Sequence, residues 1–416
     1  MVTGRAEDTW DVAVVGGGPA GLAAARVAAA SGARTVVLER AAHPRYKTCG
    51  GGLIGASLAA VAGHVDVPTR ERIDSVTFTH RGRRSVTRRA SDGPVLDMVC
   101  REEFDFALRK AAVAAGAVVR EHSTARGISD DGEHPSVRLA DGTSVAARTV
   151  IGADGSSGVS ARYVGVAYQQ VDLGLEVELP VPAPVGHRWR GRVLLDWGDI
   201  PGAYAWVFPK GDKLTVGVIA ARGAGDQTRA YLAGFRRRIG LDHVAPEQDS
   251  GHLTRCRSDD SPLRRGDVIV VGDAAGLLDP WTREGISHAL RSGALAGAAA
   301  ARGDLDSYVD AVHRDLVPEM TAGRRLFDAF ARRPAAFHAA VATGPGWRAF
   351  TRLCRGDITF ARFAAHPAAR TAMSLIERIG VAVSTHGAPA SAAVPAHGAP
   401  AEPAAPDGGA VRSAQA

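Results

Sequence analysis

A short segment that combines a lysine, a cysteine and three glycines carries the most reactive side chains of this sequence. Residues 44–53 read Pro-Arg-Tyr-Lys-Thr-Cys-Gly-Gly-Gly-Leu, which puts Lys47 two positions before Cys49. A nearby cation favours the thiolate form of a cysteine. Glycines 50–52, among them Gly50 and Gly51, let the backbone pass close to a flat ring. Cys49 and Lys47 are therefore candidate catalytic residues, with Cys49 either as a proton donor or as a thiol poised by Lys47. The alternative is that Cys49 is a small residue packed beside the ring.

A second segment places aromatic side chains at alternate positions. Residues 204–209 read Tyr-Ala-Trp-Val-Phe-Pro, and Gly217 follows after seven intervening residues. Because side chains alternate along a strand, Tyr204, Trp206 and Phe208 are predicted on one face. This wall would suit a long apolar substrate, with Tyr204 as another candidate proton donor. The same spacing also fits the ordinary core of a sheet.

The first glycine-rich turn predicts where a dinucleotide binds. The apolar run 12–15 predicts a buried strand, and residues 19–31 predict a helix whose N-terminus would face a pyrophosphate. Glu39 ends the next predicted strand, where an acid accepts hydrogen bonds from ribose hydroxyls and favours FAD or NAD. The alternative is a glycine-rich turn without a ligand. The predicted contacts are Gly16, Gly18, Pro19, Ala20, Gly21, Glu39 and Arg40.

Later motifs indicate that the chain returns to the same dinucleotide. One predicted strand leads into Asp154-Gly155, and another leads into Gly272-Asp273. Arg101 opens a predicted helix over 101–116, and Gly285-Ile286 opens a long alanine-rich helix. Arg283, just before that helix, either adds positive charge or points outward. Only the first turn has the full glycine pattern, so no second dinucleotide domain is evident.

These motifs, in this order, resemble the flavoproteins with the p-hydroxybenzoate hydroxylase-type fold. Segments 44–53 and 204–217 further resemble the geranylgeranyl reductase family, with one departure: Gly217-Val218-Ile219 lacks the second glycine of that family's Gly-x-Gly. The resemblance implies that FAD is the cofactor. It also implies roles in FAD binding for Cys49, Gly50, Arg101, Asp154, Gly272, Asp273, Gly285 and Ile286.

The resemblance implies a FAD-dependent reductase that saturates carbon–carbon double bonds of a geranylgeranyl or related isoprenoid. The isoprenoid could belong to a diphosphate, a lipid or a quinone, and NADPH or a reduced ferredoxin-type carrier would supply electrons. The rivals are a FAD-dependent monooxygenase or halogenase on the same fold and a flavoprotein that relays electrons to a quinone or partner. The substrate-binding candidates are Gly51, Tyr204, Trp206, Phe208, Pro209, Gly217 and Trp281.

The predicted fold class is α/β (α+β overall), with a Rossmann-like FAD-binding domain, an inserted antiparallel substrate sheet and a C-terminal helical region. The FAD-binding domain is predicted over 8–72, 95–165 and 260–303. The substrate domain is predicted over 73–94 and 166–259. Residues 304–384 have a helical pattern, and 385–416 are rich in Ala and Pro, which predicts a disordered tail.

The composition is typical of a soluble globular protein, with 416 residues, 45% hydrophobic and 23% charged. There is no run of 18 apolar residues and no C-x-x-C pair, so we expect a cytoplasmic enzyme without a metal. Isoprenoids partition into membranes, so peripheral membrane contact stays open, as does the oligomeric state.

A cluster of arginines could bind a diphosphate or phospholipid headgroup or form a solvated hairpin face. Without interleaved aromatic residues it does not indicate nucleic-acid binding; the cluster is Arg81, Arg83, Arg84, Arg88 and Arg89.

Overall fold

The computed structural model describes residues 9–130, 132–367 and 369–371. The strands are, in chain order, β1 (Trp10–Val15), β2 (Thr35–Leu38), β3 (Gly52–Leu53), β4 (Thr69–Ile73), β5 (Ser75–His80), β6 (Arg83–Arg89), β7 (Leu96–Val99), β8 (Val118–Arg120), β9 (Ala125–Ser129), β10 (Ser136–Leu139), β11 (Ser144–Gly152), β12 (Tyr168–Pro180), β13 (Arg192–Trp197), β14 (Tyr204–Pro209), β15 (Lys213–Ala221), β16 (Gln248–Arg257), β17 (Arg264–Arg265) and β18 (Val268–Val270). The helices are α1 (Pro19–Ala30), α2 (Gly55–Val61), α3 (Arg101–Ala114), α4 (Ser160–Val164), α5 (Ala183–Trp189), α6 (Gly225–Arg238), α7 (Ile286–Arg302), α8 (Leu305–Asp315), α9 (Val317–Arg332), α10 (Pro334–Ala342), α11 (Gly344–Arg355) and α12 (Phe360–Ala365).

The first sheet is largely parallel, with the glycine-rich turn at its centre; β17, β10 and β9 pair antiparallel at its margins. Its strand order is β17-β18-β11-β1-β2-β8, with β1 parallel to both β2 and β11. The central strands are nearly continuous apolar runs because both faces of such a sheet are covered. Helix α7 packs so closely on α1 that a Cβ atom at Gly293 would lie 2.1 Å from the Ala20 carbonyl oxygen. A small residue is therefore needed at this helix crossing.

Strand β11 is longer than the sequence predicts. The sequence pattern predicts an antiparallel meander over 122–147 and a separate strand over 148–153. Instead, one strand runs over Ser144–Gly152; its first residues pair with β10 and its last residues with β1 and β18. Apolar residues alternate and then become continuous along it, because only its second half is covered on both faces.

The second sheet, which we call the substrate sheet, has the order β16-β12-β15-β14-β13-β5-β6. All its neighbours are antiparallel except β13 and β5. Helix α6 covers one face, where Tyr231 and Phe235 pack on Val207, Val216 and Val218. The opposite face is turned toward segment 44–53 of the FAD-binding part.

Helices from the C-terminal part cover the far end of that opposite face. Phe350 contacts the Phe78 ring edge-on, with centroids 5.2 Å apart, and Phe330 contacts Trp197 at 5.7 Å. A small sheet, β3-β7-β4, anchors the chain directly after Gly51 and leads into α3. No helix among the described residues is long and apolar enough to cross a membrane.

The predicted fold class is confirmed: a parallel nucleotide-binding sheet, a largely antiparallel second sheet and a C-terminal set of helices occur in one chain. Helices α8 to α12 lie within the region predicted to be helical. The predicted tail, 385–416, lies outside the described residues, as do 372–384 at the end of the predicted helical region.

Candidate active site

The glycine-rich turn has a shape that only glycine permits at two positions. Gly16 has a φ of +106°, and a Cβ atom there would lie 2.4 Å from the Ala153 carbonyl oxygen. A Cβ atom at Gly21 would lie 2.0 Å from the Gly16 carbonyl oxygen. The first contact brings the turn against the end of β11. Gly18 is the N-cap of α1, and Pro19 and Ala20 form its buried first turn.

Glu39 is buried beside this turn. Its Oε2 accepts a hydrogen bond from the Gly17 N–H at 2.6 Å, and its Oε1 lies 3.6 Å from Arg45 Nε. Arg45 Nη2 also donates to the Gly17 carbonyl at 3.2 Å, so this arginine crosses the turn. Arg40, which the sequence analysis selected, is exposed. Arg45 was missed, although it lies within the segment singled out for its chemistry.

Arg101 begins α3 and forms a buried, two-pronged ion pair. Its Nε and Nη2 donate to the two carboxylate oxygens of Asp105 at 2.8 and 2.9 Å. Burial lowers the pKa of the guanidinium, but Asp105 and the neighbouring Cys49 thiol outweigh it and raise that pKa. Arg101 is therefore a fixed positive charge beside Cys49.

Asp273 lies where the third motif meets the start of α7. Its side chain is 30% exposed, and its Oδ2 lies 3.6 Å from His252 Nε2. A Cβ atom at Gly285 would lie 3.3 Å from Asp273 Oδ1. Burial acts to raise the pKa of Asp273, but His252, Lys47 and Arg101 lower it overall. The result is an ionised, partly open carboxylate, suited to accepting hydrogen bonds from ligand hydroxyls.

Asp154 has a structural task in the described residues. Its Oδ2 accepts hydrogen bonds from the N–H groups of Val159 and Ser160 at 2.6 and 3.0 Å, which starts α4. Its Oδ1 is buried without a partner in the described part of the chain, and burial raises the pKa of the carboxyl. Its predicted contact with FAD stays a prediction.

One row of paired residues crosses the substrate sheet and changes from polar to aromatic along its length. Cross-strand pairing joins its members directly, and we call this set the central row: Ser250, Glu176, Gly217, Trp206, Leu195 and Phe78. A Cβ atom at Gly217 would lie 2.1 Å from the Trp206 ring. The absence of a side chain at Gly217 therefore leaves the space that the Trp206 indole occupies. Position 219, where the family's second glycine is absent, pairs with Tyr204.

The aromatic side chains lie on one face of β14, as the spacing predicts. The Tyr204 and Trp206 ring centroids are 5.8 Å apart, and those of Trp206 and Phe208 are 6.1 Å apart. The Trp206 Nε1 is buried without a partner in the described part of the chain. Pro209 is buried at the end of the strand.

Segment 44–53 lies directly on the central row. A Cβ atom at Gly50 would lie 2.8 Å from the Phe208 ring, and one at Gly51 would lie 2.2 Å from the Val99 carbonyl oxygen. Gly51 also has a φ of +76°. Both glycines are thus required by close approach, here to the aromatic wall and to β7. Cys49 and Gly50 mark the junction between the polar and aromatic halves of the sheet.

The backbone of Cys49 is held on both sides by buried charged groups. Its N–H donates to Glu176 Oε1 at 2.6 Å, and its carbonyl accepts from Lys210 Nζ at 3.5 Å. Lys210 is paired with Glu178 at 3.0 Å. Sequence reasoning missed these three residues and His252. The signal for the acids lies in 174–180, Gly-Leu-Glu-Val-Glu-Leu-Pro, where acidic and apolar residues alternate.

The two other catalytic candidates have defined surroundings. Lys47 Nζ donates to the Thr48 carbonyl at 3.3 Å, and burial, then the charge of Arg101, lowers the pKa of this lysine. Tyr204 donates its hydroxyl proton to the Thr282 carbonyl at 2.5 Å, and burial raises its pKa to about 12. Tyr204 would have to break that bond to act as an acid.

Arg283 points inward, which decides between the two predicted orientations. It is buried with a φ of +56°, and its Nε lies 3.1 Å from Asp172 Oδ2. Its charge is therefore balanced by a carboxylate. Glu284 accepts from the Ser287 N–H at 2.7 Å and caps α7, so the start of this helix carries an acid as well as its dipole. Ile286 is its buried first residue, and Trp281 packs on Phe337.

The residues present fit FAD. The glycine cradle, Glu39 and the N-terminus of α1 suit the adenosine diphosphate half, and Asp273 suits the ribityl chain. Residues 9–181 match the family model of a FAD binding domain. A digeranylgeranylglycerophospholipid reductase from Methanosarcina mazei is 30% identical over 311 residues, which cover 71% of this chain and 75% of the relative. The chain belongs to the geranylgeranyl reductase family. A menaquinone reductase from Mycobacterium tuberculosis is 30% identical over 327 residues, covering 70% and 76%.

Solved structures share the fold of this geranylgeranyl reductase family member. A geranylgeranyl bacteriochlorophyll reductase-like protein from Thermoplasma acidophilum superposes with a TM-score of 0.69 at 22% identity, covering 90% of this chain and 97% of that one. A flavin-dependent brominase superposes with a TM-score of 0.70 at 17% identity, covering 89% and 99%. At these identities the likeness concerns the fold alone.

The predictions of an enzyme and of its cofactor are confirmed: the chain is a FAD-dependent oxidoreductase of the geranylgeranyl reductase family. The described residues contain no group of three or more His, Cys, Asp or Glu side chains that could hold a metal ion. The structure brings Lys47, Cys49 and Gly50 together with Arg101, Asp273 and the aromatic wall. The individual roles predicted for these residues stay predictions.

Proposed function

We propose that this chain saturates carbon–carbon double bonds of a geranylgeranyl or related isoprenoid group. The observation that carries the proposal is the central row, which leads from charged groups at Glu176 to aromatic rings at Trp206 and Phe78. Segment 44–53 lies at the junction. A polyprenyl chain needs apolar contacts along its length and polar chemistry at one double bond, and the row has apolar and charged side chains on one sheet face.

The apolar half of the sheet supplies binding and water exclusion in this proposal. Its rings are covered by aromatic residues of α9 to α11, including Phe330 and Phe350. Burying each methylene of a polyprenyl chain there contributes roughly 0.8 kcal/mol. Binding energy along the chain can thus fix one double bond beside Cys49, and this positioning supplies much of the rate.

In this proposal, the proton is supplied at the polar half of the substrate sheet. When bound, reduced FAD supplies the hydride that reduction of a double bond requires. The second hydrogen arrives as a proton, for which the Cys49 thiol is the candidate donor, with Lys47 and Arg101 as neighbouring cations. Asp273 and the start of α7 would orient the cofactor. The isoprenoid is a phospholipid or quinone side chain, as the names of both relatives suggest, or a diphosphate.

The electron donor proposed is NADPH or a reduced ferredoxin-type carrier. The glycine-rich turn between β1 and α1 is assigned to FAD in this proposal. NADPH would therefore have to bind elsewhere on the protein, without a second nucleotide-binding domain of this type. Stopped-flow reduction of the bound flavin by NADPH, compared with a reduced ferredoxin, separates the two donors.

Peripheral membrane contact is proposed through the β5–β6 hairpin. Arg83 and Arg84 are exposed there, whereas Arg81, Arg88 and Arg89 bind the Gly198 carbonyl, the Ala342 carbonyl and Asp74. Sedimentation with anionic and with neutral phospholipid vesicles tests this contact; Arg83→Ala with Arg84→Ala should release the protein from anionic vesicles only.

The experiment that tests the reductase uses anaerobic holoenzyme. The flavin is reduced with dithionite, a geranylgeranylated phospholipid, menaquinone or geranylgeranyl diphosphate is added, and flavin reoxidation and product mass are followed. We expect reoxidation with a gain of two hydrogen atoms per double bond. Reoxidation only after oxygen is admitted, with a hydroxylated or halogenated product, would favour the monooxygenase or halogenase instead. Electron transfer to a quinone ring without any saturated product would favour the rival in which the flavoprotein relays electrons to a quinone or partner.

A further inference from the structure

Glu176 lies in the central row immediately behind Cys49 and is almost fully enclosed. It is 2% exposed, and its Oε1 accepts hydrogen bonds from the Cys49 N–H at 2.6 Å and the Tyr46 hydroxyl at 3.4 Å. Its Oε2 accepts none from the described residues. A carboxyl with one oxygen saturated by donors and the other without one has a place for a proton of its own.

The charges around Glu176 do not compensate an ionised carboxylate. Lys210 is a buried cation that acts on Glu176, but its Nζ lies 3.0 Å from Glu178 Oε1, which also accepts from Thr215 Oγ1 at 2.9 Å. Glu176 and Glu178 thus share one buried lysine. Lys47 also acts on Glu176, and burial lowers the pKa of this lysine. Arg101, on the other element that packs beside Cys49, is paired with Asp105. Two carboxylates with one paired cation favour retention of a proton by one of them.

The pKa of Glu176 agrees with this geometry. Burial raises it, Lys210 opposes the increase, and Glu178 adds to it, which brings the pKa to about 7. Near neutral pH this carboxyl can therefore both hold and release a proton, which is the property required of a proton store.

A short chain of hydroxyl groups continues from Glu176 along segment 44–53. The Tyr46 hydroxyl lies 2.8 Å from Ser250 Oγ, and Thr48 Oγ1 donates to the same Ser250 Oγ at 2.9 Å. All three side chains are partly exposed. They connect the enclosed carboxyl to the surface of the cleft by groups that can each donate and accept a proton.

We propose that Glu176 positions Cys49 and stores the proton that returns the Cys49 thiol to its protonated form after each reduction. This inference rests on the proposed function. When FAD is bound, its hydride would form one new C–H bond of the product, and the π-electron pair of the alkene would form the second C–H bond with the Cys49 proton. The thiolate then takes the Glu176 proton, and the carboxylate regains one from water through Tyr46 and Ser250. Glu176 is a positioning residue, because it acts through Cys49.

The first test measures the Cys49 thiol and needs no turnover. Iodoacetamide alkylation of Cys49 is followed by peptide mass mapping from pH 5 to 9 in the wild type, Glu176→Gln, Glu176→Asp and the control Glu247→Gln. The Glu247 side chain is 51% exposed and lies directly before β16 of the same sheet. Ionised Glu176 disfavours the adjacent thiolate. We therefore expect Glu176→Gln to be alkylated about tenfold faster than the wild type at pH 8 and equally fast below pH 6.

The conservative and control variants complete this test. Glu176→Asp should keep an inflection in the alkylation profile, and Glu247→Gln should match the wild type. Identical profiles for the wild type and Glu176→Gln would overturn the proposal. Circular dichroism and FAD content of each variant identify any loss of fold, and in that case Glu176→Asp alone decides whether a carboxyl at this position governs the thiol.

The second test uses turnover with the isoprenoid that supports it. Glu176→Gln should lower kcat about 100-fold with little change in KM, and the limb of the kcat profile near pH 7 should disappear. Equal kcat values would overturn the proton store even if the reductase is confirmed. If no isoprenoid is reduced by the wild type, the proposed function fails, while the alkylation profile still decides whether Glu176 and Cys49 are coupled.

Discussion

Gly217 lies directly opposite Trp206 on the neighbouring strand, and the indole occupies the position where a side chain at 217 would begin. A Cβ atom at position 217 would lie 2.1 Å from the Trp206 ring. This pair explains why a glycine follows the aromatic motif at a fixed spacing: the strand turns back through Gly211, and Gly217 then faces the central aromatic ring. The first glycine of the family's Gly-x-Gly is thus a packing requirement of the sheet.

Replacing Gly217 with alanine should therefore disturb the aromatic wall. Because the added methyl group overlaps Trp206, we expect the free energy of unfolding to fall by about 1–3 kcal/mol and the tryptophan emission to change. Urea denaturation followed by fluorescence measures both. Gly174→Ala is the matched control on β12, since its Cβ atom would lie 3.7 Å from its nearest neighbours. Equal losses in both variants would contradict the role of Gly217.

Replacement of Gly50 should also have a specific effect, because this glycine lets Cys49 lie close to the sheet. A Cβ atom there meets the Phe208 ring at 2.8 Å, so Gly50→Ala must move the ring or lift the segment. We expect the Cys49 amide to lose its bond to Glu176 and to exchange with deuterium roughly 10- to 100-fold faster. Hydrogen exchange with mass spectrometry over peptide 47–51 measures this.

Gly52→Ala is the control for that experiment, because its Cβ atom would lie no closer than 3.8 Å to its neighbours. Exchange at Cys49 should be unchanged in this variant. Slow exchange in both variants would mean that the segment tolerates a side chain at Gly50 and that the close approach to Phe208 is not what fixes Cys49.

The sequence was sufficient for the elements whose signal is local. The glycine turn, Glu39 and the aromatic strand each depend on a short pattern: a turn that requires glycine, an acid at the end of a strand, or side chains with a period of two. The family resemblance then named the cofactor. The predicted ends of an element differ from those in the structure where burial changes along it. Strand β11 is the example, because its first half is covered on one face and its second half on both.

The charged groups around Cys49 could not be found in this way. Glu176 on β12 and Lys210 in the turn between β14 and β15 bind the N–H and the carbonyl of Cys49, from 127 and 161 residues away in sequence. Only the register of the substrate sheet puts them there. Similarly, Arg45 rather than Arg40 crosses the glycine turn, because the chain doubles back after Glu39. The alternation in 174–180 can mark Glu176 and Glu178 as acids on one face of a strand. No periodic signal says which backbone group they contact, because that depends on sheet register and on the path of a loop.

Asp273 should contribute to FAD affinity through its charge. His252, Lys47 and Arg101 keep its pKa low against the effect of burial, so the carboxylate is ionised at neutral pH. Asp273→Asn should raise the Kd for FAD roughly tenfold, because a hydrogen bond to a charged group is replaced by a neutral one. Flavin fluorescence quenching during titration of the apoprotein measures the Kd.

The pH dependence of this contribution has a definite sign. A carboxyl with a lowered pKa loses its contribution only as the pH falls through that lowered value, so the difference between wild type and Asp273→Asn should stay constant from pH 6 to 8. Asp267→Asn, at a half-exposed acid before β18, is the control and should bind FAD as the wild type does. An unchanged Kd in Asp273→Asn would remove Asp273 from the FAD site.

The Arg283–Asp172 pair should be a strong structural link between the start of α7 and the substrate sheet. Both side chains are 2% exposed, and Arg283 also donates to the carbonyls of Trp281 and Gly202. Arg283→Gly would relieve the positive φ but leave Asp172 buried without its cation. Because an uncompensated buried charge is costly, we expect a loss of about 3 kcal/mol in the free energy of unfolding.

The double variant Asp172→Asn with Arg283→Gly distinguishes charge from packing. With both charges gone, at least half of the lost stability should return, since no carboxylate then remains buried alone. Arg89→Ala is the exposed control: its ion pair with Asp74 joins side chains 76% and 37% exposed, and its loss should cost less than about 1 kcal/mol. If Arg283→Gly costs no more than Arg89→Ala, or if the double variant is no more stable than Arg283→Gly, the pair does not stabilise this junction through charge.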